Sequence, residues 1–261
     1  MPARPTTPPP SAGSRASSHP MIELDALQWG LAIAVVFAGS TIQGIVGYGV
    51  GLFSAPLLFL INPLLVPGPL VIVGGIVPLL MLRANRQAVV PRDLAFALPA
   101  GGIGVIAAWA LVGLLPASTW QWLFGVLILL AVAVSCLRLR IRPDPFTISV
   151  GTFCSGCMGT ITGVGGPPLG VVYQHADPAR VRGTLSAIFI PLSVMSSLAL
   201  IFLDRLGWRE VWLAVAMIPA VFAGFWCARH LGTRVPRRGF RVFVLGTACV
   251  AGVYSVVRGL M

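Results

Sequence analysis

The sequence predicts an all-α integral membrane protein made of two repeats that enter the membrane in opposite orientations. The chain has 261 residues, of which 57% are hydrophobic and only 10% are charged. A soluble domain carries about 25% charged residues. The apolar segments form two series of similar pattern, and a glycine-rich break interrupts both series at the corresponding place. The arginines, in addition, are concentrated in short loops between the segments.

The first series follows a tail, residues 1–26, whose first 20 residues are rich in Pro, Ser and Ala and are expected to be disordered. Residues 27–138 form the predicted first membrane repeat. Its second segment has only about ten residues, roughly 15 Å of helix, which is too short to cross a hydrocarbon core of about 30 Å. The fold therefore has either about eight full spans or full spans plus two broken, re-entrant helical hairpins. The apolar segments of this repeat lie at about 27–46, 52–61, 64–82, 94–115 and 119–137.

The second series repeats this order after a predicted cytoplasmic linker, residues 139–145. In the second membrane repeat, residues 146–261, the segments lie at about 146–162, up to 175, 184–203, 209–228 and 240–257. Gly163 and Gly165 stand 116 positions after Gly47 and Gly49. Each repeat has five segments, so the second must begin on the opposite side of the membrane. Inverted repeats with paired broken helices are typical of secondary transporters that work by alternating access.

The arginines test this orientation independently. All 18 basic residues are arginine, and alternating loops place 13 of them on one side and 5 on the other. The positive-inside rule then puts loops 83–93, 138–145 and 229–239 in the cytoplasm and both termini in the periplasm. We therefore expect a multi-pass protein of the cell inner membrane. The net charge of +11 reflects this topology, so no nucleic-acid partner is expected.

The two breaks, at residues 43–51 and 154–168, are the predicted functional site. A gap in a helix survives at membrane depth only if it is buried in protein or lines a watery cavity. Glycine allows positive φ and close backbone approach, and we expect Gly49 and Gly165 to need both. A helix that begins inside the membrane presents unpaired N–H groups and a partial positive charge, which suits an anion.

The polar inventory agrees with an anion. All seven acidic residues fall in loops or at segment ends, whereas carriers of cations or protons usually need a carboxylate inside the membrane. No cofactor or metal is expected. The predicted substrate-binding residues are Gln43, Gly47, Tyr48, Gly49, Thr160, Thr162, Gly163, Gly165, Gly166 and Pro167, and the residues predicted at the cytoplasmic mouth are Arg86, Arg180 and Arg182.

At these residues the sequence resembles the TauE/SafE (TSUP) family of sulfite-exporter-type membrane permeases. The resemblance rests on the stretch Gly44-Ile-Val-Gly47-Tyr-Gly49, with Pro56 following, and on Gly163-Val-Gly-Gly-Pro-Pro168. It covers about residues 27–258. It implies transport of small anions, chiefly sulfur oxoanions, sulfonates and related organic acids.

Three functions remain open on the sequence. The leading hypothesis is a secondary transporter that exports a small anion, and the second is an anion channel with the same site and a continuous pore. The third is a membrane enzyme that uses Cys154 and Cys157 for thiol or sulfur chemistry, although these thiols lack a paired His, Asp or Glu nearby. The identity of the anion, the coupling ion and a possible homo-oligomer stay undetermined.

Overall fold

The computed structural model describes residues 24–115, 119–136, 141–231 and 237–260. The predicted tail up to residue 23, the turn at 116–118, residues 139–140 of the linker and the loop at 232–236 lie outside the described residues. The ten α-helices of the described chain are α1 (Ala26–Val46), α2 (Val50–Ile61), α3 (Gly68–Asn85), α4 (Pro91–Leu114), α5 (Thr119–Cys136), α6 (Pro145–Thr162), α7 (Gly166–Val172), α8 (Pro178–Phe202), α9 (Trp208–Leu231) and α10 (Arg237–Leu260).

The prediction of an all-α membrane protein is confirmed. Five helices within the described ranges are long and apolar enough to cross a membrane. They are α1, α4, α8, α9 and α3 with the short turn that continues it to Ala88. Their outward faces carry large apolar side chains, as on α4, where Ile103, Ile106 and Leu114 are exposed. In water such a surface would promote aggregation, whereas in lipid it meets hydrocarbon.

One predicted boundary is wrong, because α8 begins at Pro178 and not near residue 184. The side chain of Asp177 accepts hydrogen bonds from the backbone N–H groups of Ala179 and Arg180 and so caps the helix. Asp-Pro therefore starts α8, with proline at the first helical position, where its missing N–H costs nothing. As a result, Arg180 and Arg182 lie in the first turns of a helix and not in a loop.

The two breaks form helical hairpins, because the short helix after each break runs back along the helix before it. Helix α2 returns alongside α1, since the hydroxyl of Ser54 donates to the carbonyl of Val35 at 3.3 Å, and Gln28 near the start of α1 reaches the carbonyl of Ile61. Helix α7 returns alongside α6 in the same way. Positions that are far apart in sequence, such as Gly151 and Val172, lie beside each other there.

The two halves pack so that each helix contact between the repeats occurs twice, with the roles of the two repeats swapped. Gly104 of α4 abuts the carbonyl of Phe153 on α6, and Gly224 of α9 abuts the carbonyl of Phe37 on α1. Helices α3 and α8, which occupy the same place in the two repeats, pack against each other in opposite directions. Ser193 meets the carbonyl of Val71 near the start of α3, whereas Gly183 lies at its end. Antiparallel counterparts are what an inverted repeat requires.

This repeat-related packing brings both breaks to the centre of the molecule. Gly47, where α1 ends, lies against Val181 near the start of α8, and Gly163, where α6 ends, lies against Leu70 near the start of α3. The backbones of the two breaks meet at Gly51, where a Cβ would collide with the carbonyl of Gly163. The two hairpins thus touch tip to tip between α3 and α8.

Candidate functional site

A cavity lies where the two hairpins meet. It is partly open to solvent, and its empty volume is about 530 Å³ when this open part is included. Both repeats line it. The lining residues are Gln43, Tyr48, Gly49, Val50, Gly51, Leu70, Val71 and Gly74 of the first repeat, and Ser155, Gly159, Gly163, Gly165, Gly166, Phe189, Leu192, Ser193 and Ser196 of the second.

On the first-repeat side, glycines shape the backbone. Gly47 ends α1 in the left-handed conformation, and Gly49 has φ +129°, a value that side chains of other residues rarely adopt. The chain therefore turns sharply and starts α2 at Val50. The expectation of positive φ at Gly49 is confirmed.

Gln43 links α1 to the start of α2. Its side chain is 3% exposed, and its Oε1 accepts a hydrogen bond from the backbone N–H of Val50 at 3.0 Å. Because an N–H can meet only an acceptor, this contact fixes which end of the amide is oxygen. The Nε2 group is left with two N–H donors and no protein acceptor among the described residues.

The start of α2 supplies a further donor to this cavity. The backbone N–H group of Gly51, which lines the cavity, has no acceptor within the described ranges, as the first backbone bond of the helix runs from Phe53 to Gly49. A helix start carries partial positive charge. The lining residues include no charged side chain, so this end of α2 and Gln43 form the positive side of the cavity.

On the second-repeat side the backbone differs. Gly163 ends α6 with φ +75°, but Gly165 has φ −90°, so the expectation that Gly165 needs positive φ is wrong. Glycine is required there by close approach, because a Cβ would lie 3.0 Å from the carbonyl oxygen of Ser155. Pro167 and Pro168 leave Gly166 as the only N–H in the first turn of α7. This short helix therefore offers few amide donors to a ligand.

The structure brings together six of the predicted substrate-binding residues. Four others lie behind the lining. Thr160 and Thr162 are buried and donate to the carbonyls of Gly156 and Met158 in their own helix. Gly47 packs against Val181, and Pro167 is buried in α7. The residues that line the cavity as predicted are Gln43, Tyr48, Gly49, Gly163, Gly165 and Gly166.

Sequence reasoning missed three serines of the lining, Ser155, Ser193 and Ser196. Ser193 and Ser196 are one helical turn apart on α8, and this spacing places both on one face. Ser155 lies eight residues before the Gly163 break on α6, two turns back along the helix. Helical spacing from the break was the signal that could have identified Ser155.

The three predicted mouth arginines have different surroundings. Arg180 donates to the carboxylate of Asp93 at 2.8 Å, and the hydroxyl of Tyr173 donates to the same oxygen at 2.7 Å. Asp93 lies in the first turn of α4 and is buried, which the sequence did not indicate. Arg182 lies beside Gly47, and Arg86 begins a short 3₁₀ turn after α3. Arg180 is thus held in an ion pair.

Cys154 and Cys157 lie on α6 outside the cavity lining. The thiol of Cys157 donates to the carbonyl of Gly104 at 3.0 Å. In the other repeat the hydroxyl of Thr41 donates to the carbonyl of Gly224 at 3.1 Å, at the corresponding positions. The thiol therefore occupies a helix-packing position, and no group of metal-binding side chains occurs among the described residues.

The comparisons with known proteins agree with the fold and the breaks. The family model described as "Sulfite exporter TauE/SafE" matches residues 31–255, which include both breaks and all ten helices at least in part. No curated protein and no solved structure matches the chain. The family model spans far more than half of the sequence, and the chain therefore belongs to the sulfite exporter TauE/SafE family of membrane permeases.

Proposed function

We propose that this protein is a secondary transporter that exports a small oxoanion, such as sulfite, a sulfonate or a related organic acid, across the cell inner membrane. The observation that carries the proposal is the cavity between the two hairpin tips, with Gln43 and the start of α2 on its wall. The family supports a sulfur oxoanion and the outward direction.

The anion is held by hydrogen-bond donors without a full positive charge. The Nε2 group of Gln43 and the backbone N–H group of Gly51 are donors of this kind. Each donor bonded to an anion contributes about 1.5–3 kcal/mol. Because both groups line the cavity at adjoining ends of α1 and α2, one oxoanion can bridge them.

Alternating access follows from the arrangement of the repeats. A single cavity lies between two hairpins of opposite orientation, and each hairpin contacts the opposite repeat through a glycine, Gly47 against Val181 and Gly163 against Leu70. Rocking one repeat against the other would open these two contacts in turn. The same cavity would then face each side of the membrane alternately.

The function is tested with purified protein in lipid vesicles loaded with unlabelled sulfite. We expect labelled sulfite outside to accumulate by counterflow and its uptake to saturate. Flux down a gradient without counterflow would identify an anion channel instead. No sulfite flux of either kind would exclude sulfite as the substrate.

The role of Gln43 is tested by Gln43→Glu. A carboxylate keeps an acceptor for the Val50 N–H but places negative charge beside the bound anion, and we expect KM to rise roughly a hundredfold or more. Gln28→Glu is the matched control. It changes the same amide on the same helix, but at the capping box of α1, where Glu is favoured. Equal KM values for the two variants would place the anion elsewhere.

A further inference from the structure

The three cavity serines have already used their hydroxyl hydrogens within the protein. Ser193 donates to the carbonyl of Val71 at 2.6 Å, and Ser155 donates to the carbonyl of Gly165. Ser196 lies 2.8 Å from the hydroxyl of Thr160, whose own hydrogen goes to the carbonyl of Gly156. Either hydroxyl can donate at this distance, and assigning the Thr160 hydrogen to the carbonyl of Gly156 makes Ser196 the donor of that pair.

A hydroxyl has one hydrogen and two lone pairs. With the hydrogen committed to a protein acceptor, each of these serines can offer a ligand only a lone pair. Ser155, Ser193 and Ser196 all belong to the second repeat, so the side chains of that wall accept hydrogen bonds, and the N–H donors of the wall are backbone groups of the glycines at the start of α7. The donors, Gln43 Nε2 and the start of α2, lie on the first-repeat wall.

The charge of the lining limits the ligand further. No charged side chain lies among the lining residues that the structure describes. The free energy of taking an ion out of water rises with the square of its charge, so a dianion is far more costly here than a monoanion of equal size. Serine lone pairs would add repulsion against an oxoanion that has no hydrogen to donate.

We propose that the site binds its oxoanion as a protonated monoanion, with charged oxygen atoms toward Gln43 and its own hydrogen toward the serines. For sulfite this species is hydrogen sulfite and not the dianion. The inference rests on the proposed function and adds the protonation state of the substrate. It assigns Ser193 and Ser196 of α8 as the residues that determine specificity, together with Ser155 of α6.

Titratable groups of the protein must be separated from titration of the substrate. Among the described residues that line the cavity, Tyr48 alone has an ionisable side chain. The others on the surrounding elements lie outside the lining. They are Arg83 on α3, Cys154 and Cys157 on α6, Tyr173 at the end of α7 with its partner Asp93, and Arg180 and Arg182 on α8. A ligand whose own charge does not change with pH can show a pH-dependent affinity only through these protein groups, so it measures their combined effect.

The experiment measures KM for sulfite counterflow in vesicles from slightly acidic to slightly alkaline buffer. Methanesulfonate, a monoanion without an acidic hydrogen, is the constant-charge competitor. We expect KM in total sulfite to rise with pH and to become constant when expressed as hydrogen sulfite, while the inhibition constant of methanesulfonate stays flat and at least roughly tenfold weaker. Sulfate, a dianion, is expected not to compete.

Two results overturn the inference and leave the proposed function intact. One is a KM in total sulfite that does not rise with pH, and the other is methanesulfonate that competes as well as hydrogen sulfite. Absence of sulfite transport at every pH excludes sulfite as the substrate and so removes the sulfite part of the proposed function. The two failures are therefore distinguishable in one set of vesicles.

Ser193→Ala gives a second, independent test. Loss of the acceptor should weaken the binding of hydrogen sulfite roughly tenfold but leave the binding of methanesulfonate unchanged. The preference for hydrogen sulfite over methanesulfonate is then lost. A purely structural role would weaken both equally, and that result would contradict the assignment. Ser197→Ala is the matched control, because Ser197 lies on the same helix, donates to the carbonyl of Ser193 and is outside the lining. It is expected to keep the preference.

Discussion

The two breaks occupy corresponding places in the two repeats but are built from different parts. The first has positive φ at Gly47 and Gly49, a 12-residue return helix and the buried amide of Gln43. The second has positive φ only at Gly163, a 7-residue return helix and the hydroxyl of Ser155. At the offset of 116 positions, Gln43 corresponds to a glycine and Ser155 corresponds to a glycine.

The difference separates what the repeat provides from what single residues provide. The repeated elements, such as the hairpins and the glycine contacts at Gly104 and Gly224, build a cavity in the middle of the molecule. Its polarity comes from side chains that have no polar counterpart in the other repeat. The side chain of Gln43 on one wall therefore donates hydrogen bonds and the serine side chains of the opposite wall accept them, which favours one orientation of a bound anion.

The largest expected effect compares alanine at the two breaks. Gly49→Ala is expected to abolish most transport, since positive φ costs a residue with a Cβ about 1–2 kcal/mol and the added atom meets Ile42 at 3.1 Å. Gly165→Ala, with φ −90°, is expected to retain more transport. Vesicle counterflow on protein that elutes as a single species measures both. Gly30→Ala, with open space around it, is the control, and equal losses at Gly49 and Gly165 would refute the difference between the breaks.

The next prediction concerns two helix contacts that are alike in the two repeats and should be equally important for stability. Gly104→Ala and Gly224→Ala each push a methyl group into a backbone carbonyl of the neighbouring helix. We expect both to lower the stability by a similar amount, about 1–3 kcal/mol. Thermal unfolding in detergent measures the change. A large loss at only one of the two positions would show that the α4–α6 and α1–α9 contacts are not equivalent.

A smaller effect is expected at the ion pair between Asp93 and Arg180, whose acid is replaced by an apolar residue at the corresponding place in the second repeat. Asp93→Asn removes the ion pair with Arg180, whose side chain is 35% exposed, so the cost is expected at about 1 kcal/mol. At the offset of 120 positions that relates Gly104 of α4 to Gly224 of α9, the corresponding residue of the second repeat is Leu213, which is buried and apolar. Asp204→Asn is the control, because Asn also tolerates the positive φ of this position. Identical melting curves for the two variants would mean that the Asp93 cluster contributes no stability.

The smallest effect concerns the equivalent thiol and hydroxyl. Cys157→Ser keeps a donor for the carbonyl of Gly104 and makes the position resemble Thr41. Transport and melting temperature are expected to stay near those of the parent. The same holds for the double variant with Cys154→Ser. Loss of activity in a folded double variant would instead support a role for thiol chemistry.

Much of the fold could be predicted because it depends on local patterns. Apolar length, glycine breaks and arginine distribution depend on neighbouring residues, and they placed most helix ends within a few residues of those observed. The start of α8 was predicted near residue 184 because only the apolar run was counted, whereas Asp177-Pro178, an Asp cap followed by proline, is the helix-start signal. Local patterns also located the glycines that line the cavity.

The features that could not be predicted from the sequence depend on contacts between residues that are distant in the chain. Tyr173 and Arg180 lie 80 and 87 positions after Asp93, and nothing in the local sequence pairs them. The direction of each serine hydrogen bond was equally hidden, because serine in a membrane helix usually bonds within its own helix or to a neighbour. The predicted role of Thr160 and Thr162 as substrate ligands stays a prediction, with both hydroxyls now placed behind the lining.

The cluster of Asp93, Tyr173 and Arg180 also bears on the resting state of the proposed transporter. If the two repeats were identical, exchanging their conformations would give two states of equal free energy, and an empty carrier would populate both equally. The cluster ties α4 of the first repeat to the end of α7 and to α8 of the second repeat, whereas the repeat-related contact has Leu213 in place of Asp93. A difference of about 1.4 kcal/mol between the states gives a tenfold bias. The empty carrier would then wait predominantly with one face open, and transport would begin from that side.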